Sequence, residues 1–153
     1  MSLDALDASI WEQVERGELG EAFRLVWEAE GAPELAAERQ RTRAELQAYC
    51  GNEDAALALI AELEGPSRLC SMVRARVAAS RGDWESALAH ALEAMSSSSA
   101  GSRAALLAAQ ASIELNRPEE ASGLLDPIVA DSPVQALGVA ALRARLPSDD
   151  PAV

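Results

Sequence analysis

Few residues of this chain could do covalent or proton-transfer chemistry. It holds two cysteines, Cys50 and Cys70, one histidine, His90, and thirteen basic residues that are all Arg. A thiolate becomes a nucleophile or a metal ligand only beside a base, a cation or further ligands. His90 stands between Ala89 and Ala91, with no Cys or second His at ligand spacing, and no glycine-rich phosphate loop occurs. The residue pattern therefore predicts no catalytic residues, no metal and no cofactor. The remaining chemistry is that of guanidinium. Arg39, Arg41, Arg43, Arg68, Arg74, Arg76 and Arg81 put seven of the thirteen Arg into two neighbouring stretches. A guanidinium grips a carboxylate through two parallel N–H donors, so the chemistry on offer is recognition of an acidic group. Glu34, Glu38 and Glu45 are spaced to pair with the same Arg along a helix. A ligand site and a set of solvent-screened ion pairs on the helix surface are both open readings.

The elements that would position these residues repeat. Gly17-Glu18, Gly51-Asn52, Gly82-Asp83 and Asn116-Arg117 follow one another at intervals of 34, 31 and 34 residues. Each marks a point where a helix can close through the left-handed conformation that Gly, and to a lesser degree Asn, adopts. Acidic residues follow in the next turn, where they suit the positive end of a helix dipole. Ala22, Ala56, Ala87 and Ala121 each stand five residues after the turn residue. A small side chain there lets a second helix lie close on the first, so each unit reads as helix, tight turn, helix.

With this period, the turn followed by Ala, and a second small or apolar residue seven further on (Ala29, Leu63, Ala94, Ile128), the chain resembles the tetratricopeptide repeat (TPR) family over about residues 3–133. The resemblance implies an all-α, right-handed solenoid of helical hairpins. Its units would be 3–33, 34–66, 67–99 and 102–133, with a capping helix at 134–146 and a tail at 147–153, in one domain. It also implies that first helices line a concave groove. On that register Arg41 and Arg76 face the groove, with Trp11, Tyr49 and Met72 as apolar contacts. The function implied is that of a non-catalytic adaptor holding a partner's peptide or helix, an acidic one on the Arg argument. A bacterial secretion-system chaperone and a self-associating scaffold are the alternatives.

Composition agrees. The chain is 49% apolar but 3% aromatic, which suits a close-packed helical array, and its 153 residues suffice for one continuous core. Its net charge of −12 disfavours nucleic acid and anionic membranes as partners. No stretch approaches the roughly 18 apolar residues of a membrane span, and Met1-Ser2-Leu3-Asp4 lacks the features of a signal peptide, so the cytoplasm is the expected location.

Apolar periodicity and caps predict nine helices, at about 3–16, 18–30, 34–50, 53–64, 68–81, 84–95, 102–115, 118–130 and 134–146. Cys50 would end one first helix and Cys70 begin the next, too far apart axially for a disulfide, giving two buried, reduced thiols. The ninth helix carries Leu137, Val139, Ala140, Ala141 and Leu142 around much of its circumference. Leu137, Val139 and Leu142 are therefore candidates for self-association.

Overall fold

The computed structural model describes residues 3–28, 36–63, 70–96, 101–130 and 132–147. Its described residues form nine helices and no strand: α1 (Leu3–Glu15), α2 (Leu19–Glu28), α3 (Ala36–Tyr49), α4 (Glu53–Ala61), α5 (Ser71–Ser80), α6 (Trp84–Ala94), α7 (Gly101–Glu114), α8 (Pro118–Leu125) and α9 (Pro133–Arg143). The predicted unit boundaries at Pro33, Pro66 and the serine run after Ser96 fall outside the described residues, as does the tail beyond Pro147.

Four hairpins form for one local reason. Gly17, Gly51, Gly82 and Asn116 have φ of 78°, 82°, 75° and 59°. In each case the following N–H reaches back five residues: Glu18 to Gln13, Asn52 to Gln47, Asp83 to Ala78, Arg117 to Ser112, at 2.8–2.9 Å. This satisfies a carbonyl that the helix end would otherwise leave unpaired and turns the chain towards the next helix. Asp83 adds a side-chain cap, accepting from the Ser86 N–H at 3.2 Å.

The second helices then close on the first through the small residues. Ala22, Ala56, Ala87 and Ala121 are each fully buried. Hairpins stack because the apolar clusters cross unit boundaries. Leu46 of α3 joins Ile10, Trp11, Val14 and Val26 of the first hairpin. Val73 and Val77 of α5 join Ala44, Ala56 and Ile60 of the second. Ala108 and Ala111 of α7 join Ala75, Ala87 and Leu88 of the third.

Two expectations need correction. Helix α8 ends at Leu125 rather than near Ala130, because Pro127 has no N–H to continue the ladder. Cys50 is exposed, lying in the turn after α3, and only Cys70 is buried; neither forms a disulfide. Burial raises the pKa of the Cys70 thiol and keeps it protonated. Trp27 of α2 is 69% exposed and carries the Arg43 guanidinium 3.8 Å above its ring.

Replacing Ala87 by Leu tests the packing. The added volume meets fully buried neighbours, so Ala87→Leu is expected to cost about 1–3 kcal/mol in urea unfolding. An unchanged midpoint would show that α5 and α6 do not pack closely at this residue.

Candidate functional site

The first helices of the four hairpins bring their charges together in one cluster. Asp7 comes from α1, Glu38, Arg41 and Glu45 from α3, Arg76 from α5 and Arg103 from α7. Glu45 is the centre and is fully buried. Its Oε1 accepts from Arg76 Nη2 at 3.3 Å and Nε at 3.4 Å, and from Arg103 Nε at 3.3 Å. Its Oε2 accepts from Arg41 Nη1 at 3.2 Å and Arg103 Nη2 at 3.3 Å. Arg103 also donates to Asp7 Oδ2 from Nη1 and Nη2, both at 3.2 Å, joining the first and fourth hairpins across 96 residues. Arg41 donates to Glu38 at 3.0 Å and forms an ion pair with Asp7 at 3.7 Å.

Aromatic rings cover the guanidiniums. Arg103 lies 4.2 Å and Arg76 5.2 Å from the Trp11 ring centre, and Arg76 is 5.4 Å from that of Tyr49. Trp11 and Tyr49 meet edge to face at 5.9 Å. Such stacking places polarisable surface over cations that burial has separated from water.

The two acids at the heart of this cluster respond oppositely. Burial pushes the Glu45 carboxyl up, but Arg103, Arg76 and Arg41 outweigh it and hold its pKa below the ordinary 4.5. For Asp7 burial prevails over Arg103 and Arg41, and its pKa lies above 3.8. Glu45 therefore stabilises the fold above the ordinary carboxyl pKa, and that contribution is lost as pH falls through its depressed value. Asp7 has the reverse sign: its share of stability is greater at low pH and declines as pH rises through its raised pKa.

Of the expected groove residues, Trp11, Arg41, Tyr49 and Arg76 are brought into or against this cluster. Arg41 is 5% exposed and is surrounded by acids rather than facing open space. Met72 is 2% exposed and packs with Ala94 and Ala104 in the core, so it offers no groove surface. Tyr49 stays half exposed at the rim. Asp7 and Arg103 were not anticipated as partners, and Glu45 was expected to pair only along its own helix. A signal for two of these pairings lay in the register. Asp7 and Arg41 both stand ten residues before their turn glycines, and Glu45 and Arg76 both stand six before theirs. Opposite charges at the same station of adjacent units face one another.

Beside the cluster, α1 and α9 form opposite walls of a cleft with α7 between them. One part has a volume of about 530 Å³ and is bounded by Trp11 and Val14 of α1, Leu106 and Leu107 of α7, and Leu142 of α9. A second part, about 770 Å³, continues past Asp7, Glu12 and Ser102, and the two share Trp11, Glu15, Arg103, Val134 and Gln135. Helix α9 has no buried residue. Leu142 faces this cleft, Val139 is half-buried and Leu137 is 71% exposed, so the three self-association candidates do not share one surface. His90 is half-buried on α6, and among the described residues no three His, Cys, Asp or Glu side chains come together as metal ligands.

Glu45→Gln keeps the side-chain shape but removes the charge that three guanidiniums share. It is expected to cost about 3–5 kcal/mol in urea at pH 7, with a shallower loss of stability below pH 4.5 than the parent shows. Asp7→Asn is expected to cost less, because burial already disfavours its charge. Equal losses in the two variants would show that Glu45 is not the centre.

A family model for the tetratricopeptide repeat matches residues 78–146, from the end of α5 through α9. No curated protein and no solved structure matches the chain. The tetratricopeptide repeat is a protein–protein interaction module, generally without catalytic activity of its own. Stacked helical hairpins, turn geometry and this match agree in making residues 78–146 similar to the tetratricopeptide repeat.

Proposed function

We propose that the protein is a non-catalytic interaction module that holds a peptide or helix of a partner protein in the cleft between α1 and α9. The observation that carries this reading is the cleft's lining. Half-buried Leu106, Leu107 and Leu142 and the half-exposed Val134 leave apolar surface accessible on facing walls. An apolar face on a partner's helix would gain burial there, at about 25 cal/mol per Å² of area removed from water, before the costs of association.

The acidic partner expected from Arg41 and Arg76 loses its physical support. Both guanidiniums already donate to Glu45, and a ligand carboxylate would have to displace a buried one. No described helix is long and apolar enough to cross a membrane, which is compatible with the cytoplasmic location we propose.

Val134→Asp and Leu142→Asp place charge on the α9 wall without touching the ionic cluster. The double variant is expected to keep its helicity and melting temperature and to lose the proteins that the parent captures from extract of its own cells, read by mass spectrometry. Val134→Asp alone, at a half-exposed position, separates loss of capture from loss of α9. Capture retained by both variants would overturn the cleft reading.

A second reading, self-association, is favoured by the exposure of Leu137 (71%) and Val129 (77%) near the C-terminal end. Under the cleft reading the mass in solution is expected to stay that of a monomer over a hundredfold concentration range. A dimer that disappears in Leu137→Glu would move the weight to the second reading.

A further inference from the structure

We infer that the segment this cleft takes is a basic amphipathic helix, with an Arg or Lys flank directed at Glu15. The inference rests on the cleft reading above and names the chemistry of its partner.

The charges that would favour an acidic ligand are already matched. Arg41, Arg76 and Arg103 face Glu38, Asp7 and Glu45, three cations against three anions, and these pairs cancel within the concave face. The net charge of −12 is therefore carried by the rest of the molecule, where a partner approaching from solvent meets it. Within the cleft one acid stands apart. Glu12 pairs with Arg16, and Glu114 beside the rim pairs with Arg145. Glu15 borders both parts of the cleft, and among the described residues it makes no hydrogen bond or ion pair.

Its position strengthens the argument. Glu15 is the last residue of α1, whose final turn holds no basic side chain. The carboxylate therefore adds to the negative end of the helix dipole, and a cation placed there is favoured by both. The adjoining walls supply the half-buried Leu106, Leu107 and Leu142 for an apolar stripe, with the small Ala141 of α9 exposed beside them. An apolar stripe flanked by basic residues matches this surface in shape and in charge.

The test is selection of a displayed library of random 16-residue peptides against the full chain, followed by affinity measurement of the enriched peptides on three proteins. The expected result is peptides with apolar residues at helical spacing and net positive charge. Their binding should be lost in Leu142→Asp and weakened about fivefold in Glu15→Arg, with helicity of both variants unchanged by circular dichroism. Peptides that depend on Leu142 but are acidic, or that bind Glu15→Arg as well as the parent, overturn this inference and leave the cleft reading standing. Peptides indifferent to Leu142→Asp overturn both. Failure to enrich any peptide also overturns both.

Discussion

The carboxylate of Glu45 is the point on which the concave side of this protein depends. A fully buried charge is unfavourable unless hydrogen bonds and opposite charges surround it, and here three guanidiniums do so from three different helices. The requirement works in both directions. Arg41, Arg76 and Arg103 are themselves drawn out of water and need the acids as much as Glu45 needs them. Replacing the whole group by apolar residues could leave stability little changed, whereas removing one member leaves a charge stranded. What the cluster contributes beyond stability is position. A one-residue rotation of α3 would carry Glu45 away from its partners and Ala44 and Leu46 out of the apolar clusters on either side.

That constraint acts on a scaffold built from uniform parts. Each hairpin closes through the same reach-back hydrogen bond and the same buried alanine, so the units differ little in how they turn. Alanine-rich interfaces bring helices close, but they carry few shape features that distinguish one register from another. Polar groups add that distinction. Arg103 of α7 reaches both Glu45 of α3 and Asp7 of α1, so one side chain ties the fourth hairpin to the second and the first. The fourth hairpin is thereby tied to the first, and α1 and α9 both line the cleft.

The same arrangement alters what the protein can offer a partner. A concave face rich in Arg would ordinarily present positive charge to a ligand. Here the charge is internally matched, Arg76 and Arg103 lie against Trp11 and Tyr49, and the adjoining cleft is lined mainly by apolar residues, with Glu15 and Arg145 among its charged ones. Helix α9 forms one wall while burying none of its own residues, so it resembles an element placed to meet something else more than one that closes the core.

The hairpins were legible in the residues because their causes are local. A turn glycine, an alanine five residues on and an apolar stripe act over distances of a few residues, and the nine helices fall close to where those signals place them. Even the one clear boundary error, at Pro127, has a local cause that the residues carried. The destination of the arginines was not legible in the same way. From α3 alone, Arg41 beside Glu38 and Glu45 reads equally well as a solvated ion-pair set or a ligand site. Only stacking brings Arg76 from 31 residues away, Arg103 from 58 and Asp7 from the first hairpin to the same carboxylate. The sequence by itself determined the repeating helical unit, since hydrogen bonds and side-chain volume within each hairpin are enough to specify it. The tertiary structure alone decided which charges are buried and which stay exposed, because that depends on how the four hairpins stack and on the desolvation that stacking imposes.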